Sequence, residues 1–212
     1  MGIRFTELDK KIFDFINEYG FITISQCAGC FFKNHKKAYE EARIKLNRLF
    51  IYNYLAREKY HLTGEYVFKL ADNKNISDHR MVLLNFYSAI CNIADEINYF
   101  KIEENWKESK RKSDGHIIFT MNKGKDNEYI KAFCVEIEIF YKLDIKKYDE
   151  IYENNEIQKW YEKMFGAEWF PDVIIISPSE KKPPVPKYNY KVISLDYKFT
   201  GLLNKVVLPS VE

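Results

Sequence analysis

The order of short elements in the first seventy residues constrains the fold more than any other feature. Thr6 precedes an apolar pattern with helical spacing that ends at Gly20, so a first helix is predicted between them. Thr23 or Ser25 can cap a second, short helix. A polar turn then leads into a third helix of roughly 15 residues with an apolar face. These three segments predict a small helical core.

Two β-prone runs follow the third helix. They are Ile51–Leu55 and Tyr66–Leu70, and the segment between them, from Arg57 to Gly64, is polar and charged. Two such runs joined by a polar loop indicate a β-hairpin. Three helices followed by a hairpin predict a winged helix-turn-helix domain over residues 1–72.

Positive charge concentrates in this part of the chain. Residues 1–72 contain 12 Lys/Arg and 9 Asp/Glu, and six of the basic residues lie between 33 and 48. Lysine and arginine on a helix that enters the major groove neutralise phosphates and position the helix. We therefore expect this domain to bind double-stranded DNA without a cofactor. The residues expected to contact DNA along a helix from Asn34 are Lys33, Asn34, His35, Lys36, Lys37, Arg43, Lys45 and Arg48. Those expected at the hairpin tip are Arg57 and Lys59. A homodimer on a pseudo-palindromic site is expected. The alternative is a helical domain with a solvated charged face.

Residues 73–100 are predicted to contain a connecting helix, from His79 to about residue 97, and residues 101–212 an α/β domain. The charge-dense segment 101–112 is expected to be mostly loop. Strands are predicted at 116–120, 130–139, 173–176 and 192–195, with helices at about 142–152 and 157–165. The fold class is α+β.

Acidic residues on two of these strands could hold a metal ion. Asp114 precedes one strand, and alternation places Glu136 and Glu138 on one face of the next. Carboxylates on adjacent strands can share Mg²⁺. This is the outline of a restriction-endonuclease-like core, in which a lysine is expected where Glu138 stands. Lys142 could replace it, so a nuclease or nickase using Asp114, Glu136, Glu138 and Lys142 remains an alternative to a scaffold without catalysis.

The chain as a whole resembles the replication-relaxation family of plasmid and mobile-element proteins. The matching motifs are the end of the wing at 66–73, residues 79–85, Asp114-Gly115, residues 135–138, residues 146–148 and residues 170–176. The resemblance implies a winged helix joined to a restriction-endonuclease-like domain. It also implies a role in plasmid replication, DNA relaxation or conjugative transfer. Two further functions are possible on the sequence: transcriptional control, and recruitment of a replication or transfer protein by the second half of the chain.

The remaining features favour a cytoplasmic protein without a membrane segment. The chain has no run of about 18 apolar residues, and charged residues interrupt its start. Cysteines are expected to stay reduced, and Cys27 and Cys30 to pack in the core rather than bind metal. His116 is expected to face solvent.

Overall fold

In a computed structural model, the structure of the protein is described for residues 4–72, 76–139 and 144–207. The chain divides by its internal contacts into two compact units, Met1–Ile93 and Ala94–Glu212. Both combine helices with a β-sheet, so the fold is mixed α and β. None of the helices within the described ranges is long and apolar enough to cross a membrane.

The first unit contains four helices and a small sheet. Its elements are α1 (Glu7–Tyr19), β1 (Ile22–Thr23), α2 (Ile24–Phe31), α3 (Ala38–Ile51), β2 (Ala56–Lys59), β3 (Tyr66–Lys69) and α4 (Asp78–Ile93). The sheet is antiparallel in the order β1-β3-β2. The helix expected to connect the two halves, α4, belongs to this unit and ends four residues before the predicted position.

The starts of α1 and α2 follow directly from the sequence. Thr6 accepts the backbone N–H of Asp9, and the Asp9 side chain accepts the backbone N–H of Thr6. Thr23 and Gln26 form the same reciprocal pair at α2. Each pair satisfies backbone donors that a helix start otherwise leaves open. Gly20 ends α1 with φ 95°, which a glycine adopts without strain.

The β-run expected at Ile51–Leu55 is wrong. The third helix continues through Ile51, and Asn53 turns the chain with φ 60°. Leu46 and Leu49 are fully buried at helical spacing, so their packing overrides the β-propensity of the residues that follow. The first hairpin strand therefore begins later, at Ala56.

Gly29 lies where the backbone of α2 packs closely against Ser88 of α4. A Cβ atom at this position would lie 2.3 Å from Ser88 Oγ and 2.9 Å from the Ser88 carbonyl oxygen. The hydroxyl can rotate, but the carbonyl belongs to the backbone of α4. Glycine is therefore required by packing here, although it is a poor helix former.

We expect Gly29→Ala to lower the free energy of unfolding by about 1–3 kcal/mol, because the helices must separate to admit the methyl group. Urea unfolding of the full chain measures this. Helix propensity alone predicts the opposite sign, a gain of about 1 kcal/mol. A more stable variant would therefore contradict the close approach.

The second unit is built on a five-stranded sheet in the order β4-β5-β6-β7-β8. Its elements are β4 (Glu96–Trp106), β5 (Arg111–Met121), β6 (Tyr129–Ile137), α5 (Lys146–Glu153), α6 (Glu156–Phe165), β7 (Asp172–Ser177), β8 (Val192–Asp196) and a π-helical turn at Leu203–Val207. Strands β4, β5 and β6 are antiparallel neighbours, whereas β7 and β8 run parallel to β6.

The segment expected to be a loop at 101–112 is mostly strand. It forms the end of β4, the start of β5 and the turn between them, where Lys110 has φ 54°. Because β4 lies at the edge of the sheet, many of its side chains stay exposed, and this explains its high charge. Glu104 and Trp106 point inward and are buried.

Helices α5 and α6 contribute to the core on one face of this sheet. Tyr148, Ile151, Ile157 and Tyr161 are fully buried, and they cluster with strand residues such as Ile118 and Cys134. The register pairs Ile118 with Ala132 and His116 with Cys134. If this pairing of β5 with β6 is continued by two residues, Asp114 lies opposite Glu136, on the same face of the sheet as His116 and Cys134.

Candidate functional site

The basic residues at the N-terminal end of α3 lie in a turn rather than on the helix. The third helix begins at Ala38, so Lys33 to Lys37 precede it, and the helix expected from Asn34 is shorter by one turn. Asn34, His35, Lys36 and Lys37 are exposed, whereas Lys33 is half-buried. His35 Nδ1 lies 2.7 Å from Glu41 Oε2. Lys36 and Lys37 thus present two cations beside the start of α3.

Lys45 and Arg48 do not lie on this exposed surface. Lys45 Nζ lies 3.0 Å from Asp9 Oδ1, and Arg48 Nη2 lies 3.2 Å from Asp9 Oδ2. Asp9 is fully buried, and the side chain of Lys45 is only 14% exposed. Both cations join α3 to α1, which corrects their expected placement on an exposed side of the helix.

The outward face of α3 combines one ion pair with apolar side chains. Arg43 donates from Nε and Nη2 to the two carboxylate oxygens of Glu40 at 2.8 and 2.6 Å. Ile44 and Ile51 lie on the same side and are 58% and 70% exposed. This face is therefore nearly neutral, with the cations of the preceding turn at one end.

Arg57 and Lys59 lie within strand β2, not at the hairpin tip as expected. The tip is the segment 60–65. The Arg57 guanidinium lies 4.2 Å from the centroid of the Phe50 ring and 4.4 Å from that of Tyr66, and it donates to Asn47 Oδ1 at 2.8 Å. Arg57 therefore braces the hairpin against α3, while Lys59 is exposed.

Asp114 and Glu136 come together in the second unit. Asp114 Oδ2 accepts the backbone N–H of Ile137 at 2.8 Å. Glu136 is 6% exposed, and its Oε1 accepts the Tyr148 hydroxyl at 2.5 Å. These carboxylates lie on adjacent strands and offer the oxygen atoms that Mg²⁺ prefers.

Lys147 supplies the positive charge at this cluster. Its Nζ lies 2.7 Å from Glu136 Oε2 and donates to the carbonyl oxygen of Lys112 at 2.9 Å. Lys142, the replacement expected from the sequence, lies outside the described residues. Lys147 could have been identified from its position directly before Tyr148. Tyr148 is buried, so this side of α5 faces the sheet and brings the neighbouring Lys147 close to the strands.

Glu138 makes a separate contact from this cluster. It is 6% exposed, follows β6, and its Oε2 lies 2.9 Å from Lys181 Nζ. Within the described ranges, no group of three or more His, Cys, Asp or Glu side chains is arranged to hold a metal ion. Any ion at Asp114 and Glu136 would therefore be completed by water or substrate oxygens.

Burial controls the charge state of Glu136. Desolvation raises its pKa to about 7, the charge of Asp114 acts in the same direction, and Lys147 opposes both. A carboxyl group with a raised pKa retains its proton in the folded state above the pH at which the unfolded chain releases it. The contribution of Glu136 to stability is therefore fully present below its ordinary pKa of 4.5 and is lost as the pH rises toward 7.

We expect Glu136→Gln to flatten this pH dependence between pH 5 and pH 8, because the amide does not titrate. Urea unfolding at both pH values, for the wild-type chain and the variant, measures the difference. Glu162→Gln, on the exposed side of α6, is the matched control and should preserve the slope. An unchanged slope in Glu136→Gln would contradict the assignment.

His116 is buried, contrary to the expectation that it faces solvent. Its ring is fully enclosed, and Nε2 lies 2.6 Å from the Tyr161 hydroxyl. Glu104 Oε2 is 3.9 Å from Nδ1, beyond hydrogen-bond distance. Burial lowers the pKa of His116. This histidine belongs to the core beneath α6. Cys27 is likewise fully buried, in the first unit.

Comparisons of this chain with protein-family models, with curated proteins and with solved structures found no match.

Proposed function

We propose that the first unit is a winged helix-turn-helix that binds duplex DNA. The observation that carries the proposal is the order α1-β1-α2-α3-β2-β3, with an exposed basic turn directly before α3. A helix of this kind enters the major groove with its N-terminal end nearest the bases. Lys36 and Lys37 would then contact phosphates beside the groove, and Lys59 would do so from the hairpin.

The resemblance to replication-relaxation proteins suggests the biological setting. We propose that DNA binding serves replication, relaxation, conjugative transfer or transcriptional control of a plasmid, phage or integrated element. Palindromic sites are read by two-fold symmetric dimers, so a homodimer on DNA is part of the proposal.

The test is fluorescence anisotropy of the full chain with labelled duplexes from around its own gene, at several salt concentrations. Binding should weaken as salt rises, because counterions released from phosphates drive it. Absence of salt-sensitive binding to any duplex would overturn the proposal.

Sequence preference is expected to depend on Ile44. This side chain projects from the N-terminal half of the outward face of α3, and apolar side chains there contact thymine methyl groups. On a duplex selected from a random library, Ile44→Ala should weaken binding roughly ten-fold, the value of about two buried methylene groups. Ile51→Ala, at a still more exposed isoleucine at the far end of α3, should have little effect. Equal losses in the two variants would contradict this orientation.

A Mg²⁺-dependent nuclease is the second candidate function, and the position of Lys147 favours it. Asp114 and Glu136 would hold the ion, which when bound would polarise the phosphate and activate water. Lys147 Nζ, beside Glu136, could then stabilise negative charge at the attacking or leaving oxygen. Glu136 must be deprotonated to serve as a ligand, so Mg²⁺ would compete with the proton that burial favours on this carboxyl group.

The second candidate is tested by incubating supercoiled plasmid with the protein and Mg²⁺ or Mn²⁺. Nicking should be lost in Asp114→Asn and in Lys147→Met, whereas Glu138→Gln should retain it, because Glu138 pairs with Lys181. Nicking that survives Asp114→Asn would exclude this site. Absence of nicking by the wild-type protein would leave the DNA-binding proposal standing alone.

A further inference from the structure

Two cysteines meet where α2 packs against α4 in the first unit. The contacts between these helices follow one line. Gln26 Nε2 donates to Asn85 Oδ1 at 2.8 Å, and the Ser88 hydroxyl donates to the carbonyl oxygen of Gln26 at 3.3 Å. Gly29 then brings the backbone of α2 close to Ser88. This close approach places the next residue of α2, Cys30, beside α4.

Cys30 faces Cys91, which lies one turn after Ser88 on α4. The Cys30 thiol donates a hydrogen bond to the Cys91 sulfur. A disulfide forms only between residues whose backbones are already close, and the contact of Gly29 with Ser88 provides that condition beside the pair. Cys30 is half-buried, whereas Cys91 is 6% exposed. A small oxidant can therefore reach the pair from the Cys30 side.

The neighbours of Cys91 favour its thiolate form. The hydrogen bond from Cys30 lowers the pKa of Cys91, and burial opposes this effect. The Tyr87 hydroxyl and the charge of Lys33 lower the pKa further. The same hydrogen bond raises the pKa of Cys30, which therefore keeps its proton. One sulfur is thus prepared as a nucleophile, and the other lies beside it as a thiol.

We propose that Cys30 and Cys91 are a redox-sensitive pair, which hydrogen peroxide converts to a disulfide and a thiol reductant restores. The Cys91 sulfur attacks one oxygen of the peroxide, the O–O bond breaks, and the other oxygen takes up a proton and leaves as water. The Cys30 sulfur then attacks the sulfenic acid on Cys91, gives up its proton and displaces the bound oxygen as a second water. Two thiols and one peroxide thus yield one disulfide and two waters.

The bond closes residues 30–91 into a loop that contains α3 and the hairpin. Cross-linking so long a segment restricts the unfolded chain, so the oxidised first unit should resist unfolding better than the reduced one. Where the surroundings keep thiols reduced, a bond of this kind is transient and forms on exposure to an oxidant. The pair therefore links the stability of the first unit to peroxide, whether or not this unit binds DNA.

The test treats the reduced full chain with a small excess of hydrogen peroxide, blocks the remaining thiols with iodoacetamide in urea and digests the protein with trypsin. Trypsin leaves Cys27 and Cys30 together on residues 12–33 and Cys91 on residues 81–101, so the Cys27→Ala variant is mapped as well. Mass spectrometry of this variant should find the two peptides joined, and dithiothreitol should separate them. In the wild-type chain the number of free thiols should fall from four to two.

Cys27 provides the matched control, because it lies on the same helix as Cys30 and is fully buried. Burial raises the pKa of Cys27 to about 12, so it should stay reduced, and Cys27→Ala should cross-link at the wild-type rate. Cys91→Ala should not cross-link. After peroxide, the urea midpoint of the wild-type first unit should rise by about 1–2 M and return with dithiothreitol. Cys91→Ala should show no such shift.

Free Cys30 and Cys91 thiols after the treatment, sulfinic acids in place of the bond, or a bond that includes Cys27 or Cys134 would each overturn the proposal. Fragment spectra of the joined wild-type peptides distinguish Cys30 from Cys27, so the assignment does not depend on how a variant folds. A cross-link that leaves the urea midpoint unchanged would overturn the link between the pair and stability.

Discussion

Replacing Asp9 with alanine should lower the free energy of unfolding of the first unit by about 3 kcal/mol. Asp9 is fully buried and accepts from the backbone N–H and the hydroxyl of Thr6 at 2.8 and 2.6 Å. It also pairs with Lys45 and Arg48. Removing it leaves both cations without their carboxylate and opens the cap of α1. This loss of free energy is at the low end of the range for breaking a buried ion pair, because the Arg48 side chain is 38% exposed.

Urea unfolding of the full chain measures the loss, and Glu7→Ala is the matched control. Glu7 is also in the first turn of α1, but its side chain is 80% exposed and it pairs with an exposed Lys10. Removing such a surface pair should change stability by less than about 1 kcal/mol. Equal effects of the two substitutions would contradict the buried network.

The same carboxylate predicts a pH dependence for the first unit. Burial acts to raise the pKa of Asp9, but hydrogen bonds from Thr6 and Lys45 outweigh it, so the pKa is lowered. The stabilisation is complete well above pH 4. It is lost as the pH falls through the lowered pKa, where the folded state must take up the proton. Asp9→Ala should therefore lose stability less steeply in acid than the wild-type protein.

Short sequence patterns predicted the helix starts that are set by nearby capping residues, and one short apolar strand. The Thr6–Asp9 cap begins α1 where expected, and α2 begins after Thr23, one of the two caps that the sequence allowed. The apolar run at 173–176 became a buried parallel strand. The caps follow from spacing because their partners are three residues away, and the strand follows from its short, fully apolar composition.

Side chains whose role depends on distant residues were placed wrongly or, in the case of Lys147, were given no role. Lys45 and Arg48 look like surface cations, since nothing near them in the sequence shows that Asp9 lies beneath. His116 looks exposed until Tyr161, 45 residues later, covers it. Lys147 reaches Glu136 from another element. In each case the deciding partner is distant in sequence, and the contact exists only after the chain folds.

These placements define which cations to test in DNA binding. Lys45, Arg48 and Arg57 stabilise the first unit, so replacing them would confuse folding with binding. Lys36, Lys37 and Lys59 are exposed; the first two lie in the turn directly before α3, and Lys59 lies on strand β2 of the hairpin. They are therefore the residues whose loss should affect DNA binding and leave the fold intact.

The triple variant Lys36→Ala, Lys37→Ala, Lys59→Ala should bind duplex DNA about a hundred-fold more weakly near 0.1 M salt. The slope of log affinity against log salt should become shallower by about 2.7, because each lost phosphate contact removes about 0.9. Anisotropy across a salt series gives both numbers. Lys159→Ala, Lys163→Ala, Lys198→Ala removes the same charge from exposed positions in the second unit. If DNA binds through the turn before α3 and the hairpin, the control keeps the wild-type slope; equal slopes in the two variants would mean that total charge, not this surface, attracts DNA.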